Sequence, residues 1–153
     1  MAAVKHRLIK DFFNVHELML LQKYWYKDSL MTALLDLKLP MVEEESGLDL
    51  FPTYAYWRYY IFGATLKNHL DRPACEISVT ACIKKYDNWP LIVGTEEIEL
   101  EEGDAVIYPG CDQTHGRPGI YKGEGMAQVF LHYVDQNGPY KDHAYDQIGK
   151  TNE

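Results

Sequence analysis

Three side chains in the sequence could together hold a metal ion. His69 and Asp71 are separated by one residue, and His115 follows further along the chain. Two imidazole nitrogens and one carboxylate oxygen can occupy one face of an octahedral ferrous ion and leave three positions open. Oxygen and a second ligand can then bind at those positions. The residue types therefore predict a non-haem iron centre with His69, Asp71 and His115 as its ligands.

Strands must bring these ligands together. Alternate residues of a strand point the same way, so residues 69 and 71 can converge on one ion at the mouth of a strand. His115 comes after residues 105–108 (AVIY), which are typical of a strand, and we expect it in the loop that follows. Ligands from two separate segments can meet inside a closed β architecture, and the pattern indicates one here.

The N-terminal part of the chain predicts a helix. Asn14 can cap it, and Glu17 stands at the spacing of a capping box. Apolar residues at helical spacing continue to about Leu37, and Pro40 should end the helix. The acidic run at 43–47 (EEESG) is expected to be a solvated loop.

From residue 53 the hydrophobic period changes to two, which is the period of strands. Many short strands separated by Gly, Pro and Asp are typical of a sandwich, a barrel or a jelly roll. We therefore predict a mainly β fold with an N-terminal helix. The predicted strands are 7–13, 53–61, 76–86, 91–93, 96–100, 105–108 and 127–134.

Length and composition limit the class of protein. A chain of 153 residues with 46% hydrophobic residues is expected to form one globular domain, 1–153, with a core at about 7–134 and a polar tail at 135–153. The net charge of −8 argues against a nucleic-acid backbone as partner and favours a neutral or basic substrate. The oligomeric state cannot be predicted from this pattern.

The cellular location is predicted from two kinds of segment that the sequence lacks. No apolar run is long enough to span a bilayer, and the N-terminus has no signal-peptide core. Cys75, Cys82 and Cys111 form no C-x-x-C pair and lie in apolar, strand-like surroundings, so we expect reduced thiols. These features predict a cytoplasmic protein with no membrane partner.

Several motifs, in order, resemble the iron(II)- and 2-oxoglutarate-dependent dioxygenases, in particular the prolyl-hydroxylase-like group. The run from Arg58 to Asp71 is similar to the strand and iron motif of that family. Residues 100–108 (LEEGDAVIY) are similar to its "L-x-x-G-D-hydrophobic" strand, and His115 stands at the place of its distal histidine. Residues 123–134 resemble its closing strand. The resemblance implies a double-stranded β-helix, or jelly roll, with Fe(II) as cofactor and 2-oxoglutarate as co-substrate.

One position departs from the family pattern. The family usually carries Lys or Arg about ten residues after the distal histidine, where it pairs with the far carboxylate of 2-oxoglutarate. Here that region, 123–126, reads GEGM. A buried dicarboxylate still needs a cation, because an unpaired buried charge is costly. Arg117 is the first candidate, since it follows His115 by two residues and can form a bidentate pair. Lys122, Lys84 and Arg72 are the alternatives.

An aromatic run precedes the iron motif. Its tyrosines and tryptophan are expected to pack in the core, but in the family this strand lines the pocket. A tyrosine hydroxyl there could bind 2-oxoglutarate, and we assign this role to Tyr59. The resemblance implies the hydroxylation of a small molecule or of a peptidyl residue such as proline, coupled to decarboxylation of 2-oxoglutarate.

Two other functions stay open at this point. The missing basic residue favours a jelly-roll binding module without catalysis. Glu76, five residues after Asp71, gives a distant similarity to the cupin metal motif, and a cupin-like enzyme would bind metal without using 2-oxoglutarate. The glycine frame and second histidine of the cupin motif are absent.

Overall fold

A computed structural model describes residues 4–146 of the chain. It contains two helices and nine strands among those residues. The helices are α1 (Val15–Tyr24) and α2 (Asp28–Ser46). The strands are β1 (Arg7–Ile9), β2 (Leu50–Tyr60), β3 (Leu66–His69), β4 (Ile77–Lys85), β5 (Leu91–Val93), β6 (Glu96–Ile98), β7 (Ala105–Tyr108), β8 (His115–Arg117) and β9 (Met126–Asp135).

The predicted helix begins where the sequence indicates but is divided in two. Asn14 accepts a hydrogen bond from the Glu17 backbone N–H, and Glu17 accepts one from Asn14, which completes the capping box. The chain then turns at residues 25–27, with no Gly or Pro to mark the break. Trp25 packs there against Trp57 and Tyr59 of β2, at ring-centroid distances of 5.1 Å. This packing sets the turn, and the spacing of apolar residues in the sequence could not predict it.

The prediction that Pro40 ends the helix is wrong. Pro40 lies inside α2, which continues to Ser46 and ends with Gly47 in the left-handed conformation (φ 74°). The predicted loop at 43–47 is therefore the last helical turn. A proline in a helix costs about 3 kcal/mol. Burial of four apolar side chains of α2 opposes that cost; these are Met31, Leu34, Leu35 and Val42.

The strands form two antiparallel sheets. The larger sheet has five strands in the order β1-β7-β4-β9-β2, and the smaller has four in the order β3-β8-β5-β6. Strands β5 and β7 have the predicted bounds. His115 does not lie in a loop as predicted, because it begins β8, where it pairs with His69 of β3.

The five-stranded sheet has a different neighbour on each face. One face packs on the two helices through the main apolar core. The other packs on the four-stranded sheet, where Cys82, Val106 and Tyr108 meet Leu91 and Val93. The chain is thus mainly β, with two helices between β1 and β2. In residues 4–146, no helix has the length and apolar character needed to cross a membrane.

The predicted polar tail is in part ordered on the sheet. Tyr145 donates its backbone N–H to the carbonyl of Pro52 (2.7 Å), and its ring lies 6.0 Å from that of Phe51. Residues 147–153 of that tail lie outside the described residues. Of the three thiols, Cys75 and Cys82 are buried and Cys111 is partly buried, all as free cysteines.

Candidate metal centre

The two histidines of the predicted site meet because their strands pair. His69 is the last residue of β3 and His115 the first of β8, and they stand opposite each other in the antiparallel register. Their ring centroids are 4.4 Å apart. Asp71 follows His69 by two residues, and its backbone N–H donates to the carbonyl of Gly110 (2.8 Å). The carboxylate is thereby fixed beside both rings.

The three side chains converge on one point. The Nε2 atoms of His69 and His115 lie 3.3 and 3.2 Å from Oδ1 of Asp71. An octahedral ion with bonds of about 2.0–2.1 Å holds neighbouring ligand atoms about 3 Å apart. The spacing of these atoms therefore fits three adjacent positions around one metal ion.

Backbone carbonyls orient both imidazole rings. The Nδ1 atom of His69 lies 2.7 Å from the carbonyl oxygen of Lys67, and that of His115 lies 3.0 Å from the carbonyl of Gln113. A carbonyl only accepts, so each Nδ1 carries a proton. Each Nε2 is then left to bind a metal ion or, when no metal is bound, to take up a second proton and donate it to Asp71. The hydrogen bond from Nδ1 is what fixes the tautomer of metal-binding histidines.

The charges of the site are coupled. Burial raises the pKa of the Asp71 carboxyl, but the hydrogen bond and charge of His115 outweigh it, so the pKa lies below its ordinary value. Burial lowers the pKa of the His115 imidazole, but the hydrogen bond and charge of Asp71 outweigh that, and the pKa is raised. The carboxylate thus favours a cation between itself and the ring, which a proton or a metal ion can supply.

A glycine allows the carboxylate to approach the backbone. A Cβ atom at position 110 would lie 2.6 Å from Oδ2 of Asp71 and 2.8 Å from Oγ of Ser78. Only glycine fits there without displacing the ligand. On the same side, Ser78 Oγ lies 3.4 Å from Oδ2 of Asp71 and 2.9 Å from Nδ1 of His132.

The site opens into a cleft of about 140 Å³ between the two sheets. The cleft is lined by the three predicted ligands together with aromatic, polar and apolar side chains. These lining residues are Tyr54, Tyr56, Arg58, Tyr60, Leu66, Cys75, Thr80, Leu91, Tyr108, Phe130 and His132.

Arg117, the first candidate for 2-oxoglutarate, lies deep beside this cleft. It is 7% exposed and donates to the carbonyl of Trp89 (2.5 Å) and to Oε1 of Gln128 (3.2 Å). The rings of Tyr60 and Trp89 flank it at 5.6 and 5.4 Å. Tyr60 lines the cleft and lies against the guanidinium of Arg117, which is not itself among the lining residues. Burial lowers the pKa of Arg117.

The other sequence candidates lie apart from the cleft lining. Tyr59 sits on the opposite face of β2 and stacks on Trp25, so its assignment to 2-oxoglutarate is corrected: strand alternation turns its neighbour Tyr60 inward. Lys122 is exposed in the loop before β9. Arg72 pairs with Asp146 (2.9 Å). The remaining candidate is Lys84, whose Nζ lies over the ring of Tyr86.

Sequence reasoning missed two cleft residues with ionisable side chains. His132, which lies on the predicted strand 127–134, is 5% exposed and lines the cleft beside Ser78. Arg58 was noted only as the start of a motif, yet it faces the cleft between Tyr56 and Tyr60. Alternation from Tyr54 to Tyr60 is the signal that could have found Arg58, because residues 54, 56, 58 and 60 share one face.

Several solved structures have a similar fold. An oxidoreductase of the 2OG-Fe(II) oxygenase family from Burkholderia pseudomallei matches with a TM-score of 0.67 and 15% identity, over 87% of this chain and 85% of that one. The viral collagen prolyl hydroxylase of Paramecium Bursaria Chlorella virus-1 matches at 0.65 and 12%, over 88% and 94% of the two chains. The apo form of EctD from S. alaskensis matches at 0.66 and 13%, over 87% and 74%.

EctD is also solved with bound Fe, and with 2-oxoglutarate and 5-hydroxyectoine. No family model matches this chain, and no curated protein matches its sequence. The predicted resemblance to the 2-oxoglutarate-dependent dioxygenases is thus confirmed as a likeness of fold.

Proposed function

We propose that the protein is an Fe(II)- and 2-oxoglutarate-dependent oxygenase that hydroxylates a small molecule or a peptidyl residue such as proline. One observation carries the proposal: two imidazole Nε2 atoms converge on one carboxylate oxygen of Asp71, at 3.3 and 3.2 Å, beside a cleft. Three ligands on one face leave room for a chelating co-substrate, as this chemistry requires. The likeness of fold supports the same assignment.

His69, Asp71 and His115 would hold the iron. Fe(II) and 2-oxoglutarate, when bound, would let O2 act as the oxidant, with one oxygen atom entering succinate as 2-oxoglutarate loses CO2 and the other entering a C–H bond of the substrate. The protein's part is to orient and to exclude water. The backbone carbonyls of Lys67 and Gln113 orient the imidazoles, and the rings of Tyr56 and others wall the cleft.

Arg117 would hold the far carboxylate of 2-oxoglutarate. It lies two residues beyond His115 on the same face of β8, about 7 Å along the strand. No carboxylate of the described residues lies within 4.0 Å of its guanidinium, and its buried Nε has no hydrogen-bond partner there. A buried cation without an anion is costly, and a dicarboxylate ligand would remove that cost. Tyr60 must shift to admit the ligand.

The two antiparallel sheets are proposed to be the halves of a double-stranded β-helix, or jelly roll, in which the whole chain forms one domain. In that arrangement the pairing of β3 with β8 closes the mouth where the three ligands lie. The ligand set and the mouth of the fold then coincide, which is the expected place for a site in this architecture.

An anaerobic titration tests the proposal. Purified protein is freed of metal and then receives Fe(II) and 2-oxoglutarate in turn, while visible absorption is recorded. We expect a weak charge-transfer band that requires both additions. The band should vanish in His115→Ala and persist in His16→Ala, a matched control on the exposed surface of α1.

The other outcomes contradict the proposal in different ways. Metal binding without the band removes 2-oxoglutarate and favours a cupin-like enzyme. No metal binding favours a binding module without catalysis. If the band forms, succinate production with loss of 2-oxoglutarate should follow on admission of air, and should be absent in His115→Ala.

A further inference from the structure

The cleft outside the metal ligands has an aromatic wall that contains one cationic side chain. Tyr56 and Phe130 stack at a centroid distance of 5.1 Å and an interplanar angle of 27°. Tyr54 and Tyr60 continue this wall along β2, on the face that points between the sheets. Such a surface binds the flat or ring-shaped apolar part of a molecule.

Arg58 stands within this wall and is exposed to solvent. Its guanidinium carbon lies 5.2 Å from the centroid of the Tyr60 ring. In residues 4–146, no carboxylate oxygen comes within 4.0 Å of Arg58. In this respect it differs from Arg72, which lies 5.0 Å from the ring of Tyr54 and is paired with Asp146.

The two arginines of the cleft region differ in depth. Arg117 is buried and Arg58 exposed, although both guanidiniums lie against the ring of Tyr60, at 5.6 and 5.2 Å. Two like charges beside one ring repel each other unless anions are bound between or beside them. In a chain with a net charge of −8 they also form a local region of positive potential. The net charge, which favoured a neutral or basic substrate, therefore does not describe the cleft.

We infer that the substrate is an apolar molecule that carries a carboxylate, and that Arg58 is the residue that selects it. The inference rests on the proposed function, in which Arg117 holds 2-oxoglutarate. The apolar body lies on the wall formed by Tyr56 and Phe130, and the carboxylate accepts hydrogen bonds from the guanidinium of Arg58. Arginine suits this task because its planar donors match a carboxylate in a bidentate pair.

The test substitutes Arg58 and Arg117 in turn and measures the binding of two kinds of ligand, an analogue of the co-substrate and a model of the substrate. The protein is loaded with Zn(II), which is diamagnetic, and with N-oxalylglycine, a non-reacting analogue of 2-oxoglutarate. Binding of 3-phenylpropionate and of its neutral counterpart 3-phenylpropanamide is measured by ligand-observed NMR. In the unmodified protein we expect the acid to bind at least about tenfold more tightly than the amide, as one charge-assisted pair provides.

Each of the two substitutions should change the binding of one kind of ligand only. In Arg58→Gln the acid and the amide should bind within about twofold of each other, while N-oxalylglycine keeps its affinity. Arg117→Gln should weaken N-oxalylglycine and leave the preference for the acid. Arg72→Gln is the matched control, since it removes the same charge from an arginine that already has a partner, and it should keep the preference.

Four results would overturn the inference. These are equal binding of acid and amide in the unmodified protein, no binding of either, the same loss in Arg72→Gln as in Arg58→Gln, and loss of N-oxalylglycine in Arg58→Gln. The last result would assign Arg58 to the co-substrate. If N-oxalylglycine fails to bind the unmodified protein, the proposed function fails, and the comparison of acid with amide in the metal-free protein still decides the role of Arg58.

Discussion

The two faces of the five-stranded sheet differ in chemistry although the same strands build both. In β4 and β9, the odd-numbered residues within 77–83 and 127–133 point to the helices and are apolar. These are Ile77, Val79, Ala81, Ile83, Ala127, Val129, Leu131 and Tyr133. The even-numbered residues point between the sheets, and several are polar. Those are Ser78, Thr80, Gln128 and His132.

Both faces are buried, so solvent exposure does not separate them. The polar face is tolerated because its groups have partners: Thr80 with the Tyr108 hydroxyl (2.9 Å), His132 with Ser78 (2.9 Å) and Gln128 with Arg117 (3.2 Å). In β4 and β9, the odd-numbered residues within 77–83 and 127–133 thus pack the apolar core, and the even-numbered residues face the second sheet and the cleft.

The largest expected effect comes from a truncation on the apolar face. Leu131 is fully buried among the residues that meet the helices. Leu131→Ala should lower the free energy of unfolding by about 2–5 kcal/mol, because it removes apolar contacts and leaves a cavity. Urea unfolding followed by circular dichroism measures the loss.

Because the two faces of the sheet are separate, we expect the loss of stability in Leu131→Ala to leave the metal site unchanged. Below the unfolding transition, Leu131→Ala should bind Fe(II) with the affinity of the unmodified protein. A weakened metal affinity in the folded variant would contradict the separation of the two faces, and would show that the core sets the geometry of the ligands.

The adjacent residue, on the polar face, should show a pH dependence instead. Burial lowers the pKa of the His132 imidazole to about 4. The unfolded chain has the ordinary value of about 6.5 and binds the proton more strongly. Stability should therefore be complete above pH 6.5 and fall as the pH drops toward 4, by on the order of 2–3 kcal/mol.

The measurement is urea unfolding of the metal-free protein, with a chelator present, between pH 7.5 and 4.5. His132→Asn cannot take up this proton, so its stability should fall less steeply over the same range. Carboxyl groups with lowered pKa values, such as that of Asp71, also make both proteins less stable in acid. This contribution cancels when the free energies of unfolding of the two proteins are subtracted. Parallel curves for the two proteins would mean that His132 does not titrate as its burial requires.

Short sequence patterns were sufficient to predict some elements of the fold. Short apolar runs, with a turn signal before the second, gave β5 and β7 with their observed bounds, and the capping box gave the start of α1. The break after α1 and the helix through Pro40 were missed, because both depend on packing against β2 and the sheet. Intrinsic preference is a weak guide when tertiary contacts oppose it.

The same limit applies to the site. His69, Asp71 and His115 could be proposed from residue types and order, and the structure brings them together as one cluster. The role of Arg58 could not be proposed, since an arginine on a strand has meaning only once the facing residues are known. Tyr59 was chosen from the sequence, but Tyr60 lines the cleft, and one position in a strand is the difference between the two faces.

The smallest effect concerns the helix layer that covers the apolar face. Asn14→Ala removes the side-chain acceptor for the Glu17 N–H at the start of α1. It should lower the free energy of unfolding by about 1 kcal/mol, while Asn14→Asp, which keeps an acceptor, should lower it by less. Because Glu17 also pairs with the buried Lys38 (2.9 Å), loss of the cap should loosen the contact between α1 and α2. Hydrogen exchange should then rise in α1 alone, and a rise in β3 or β8 would mean that the helix layer supports the metal ligands as well as the core.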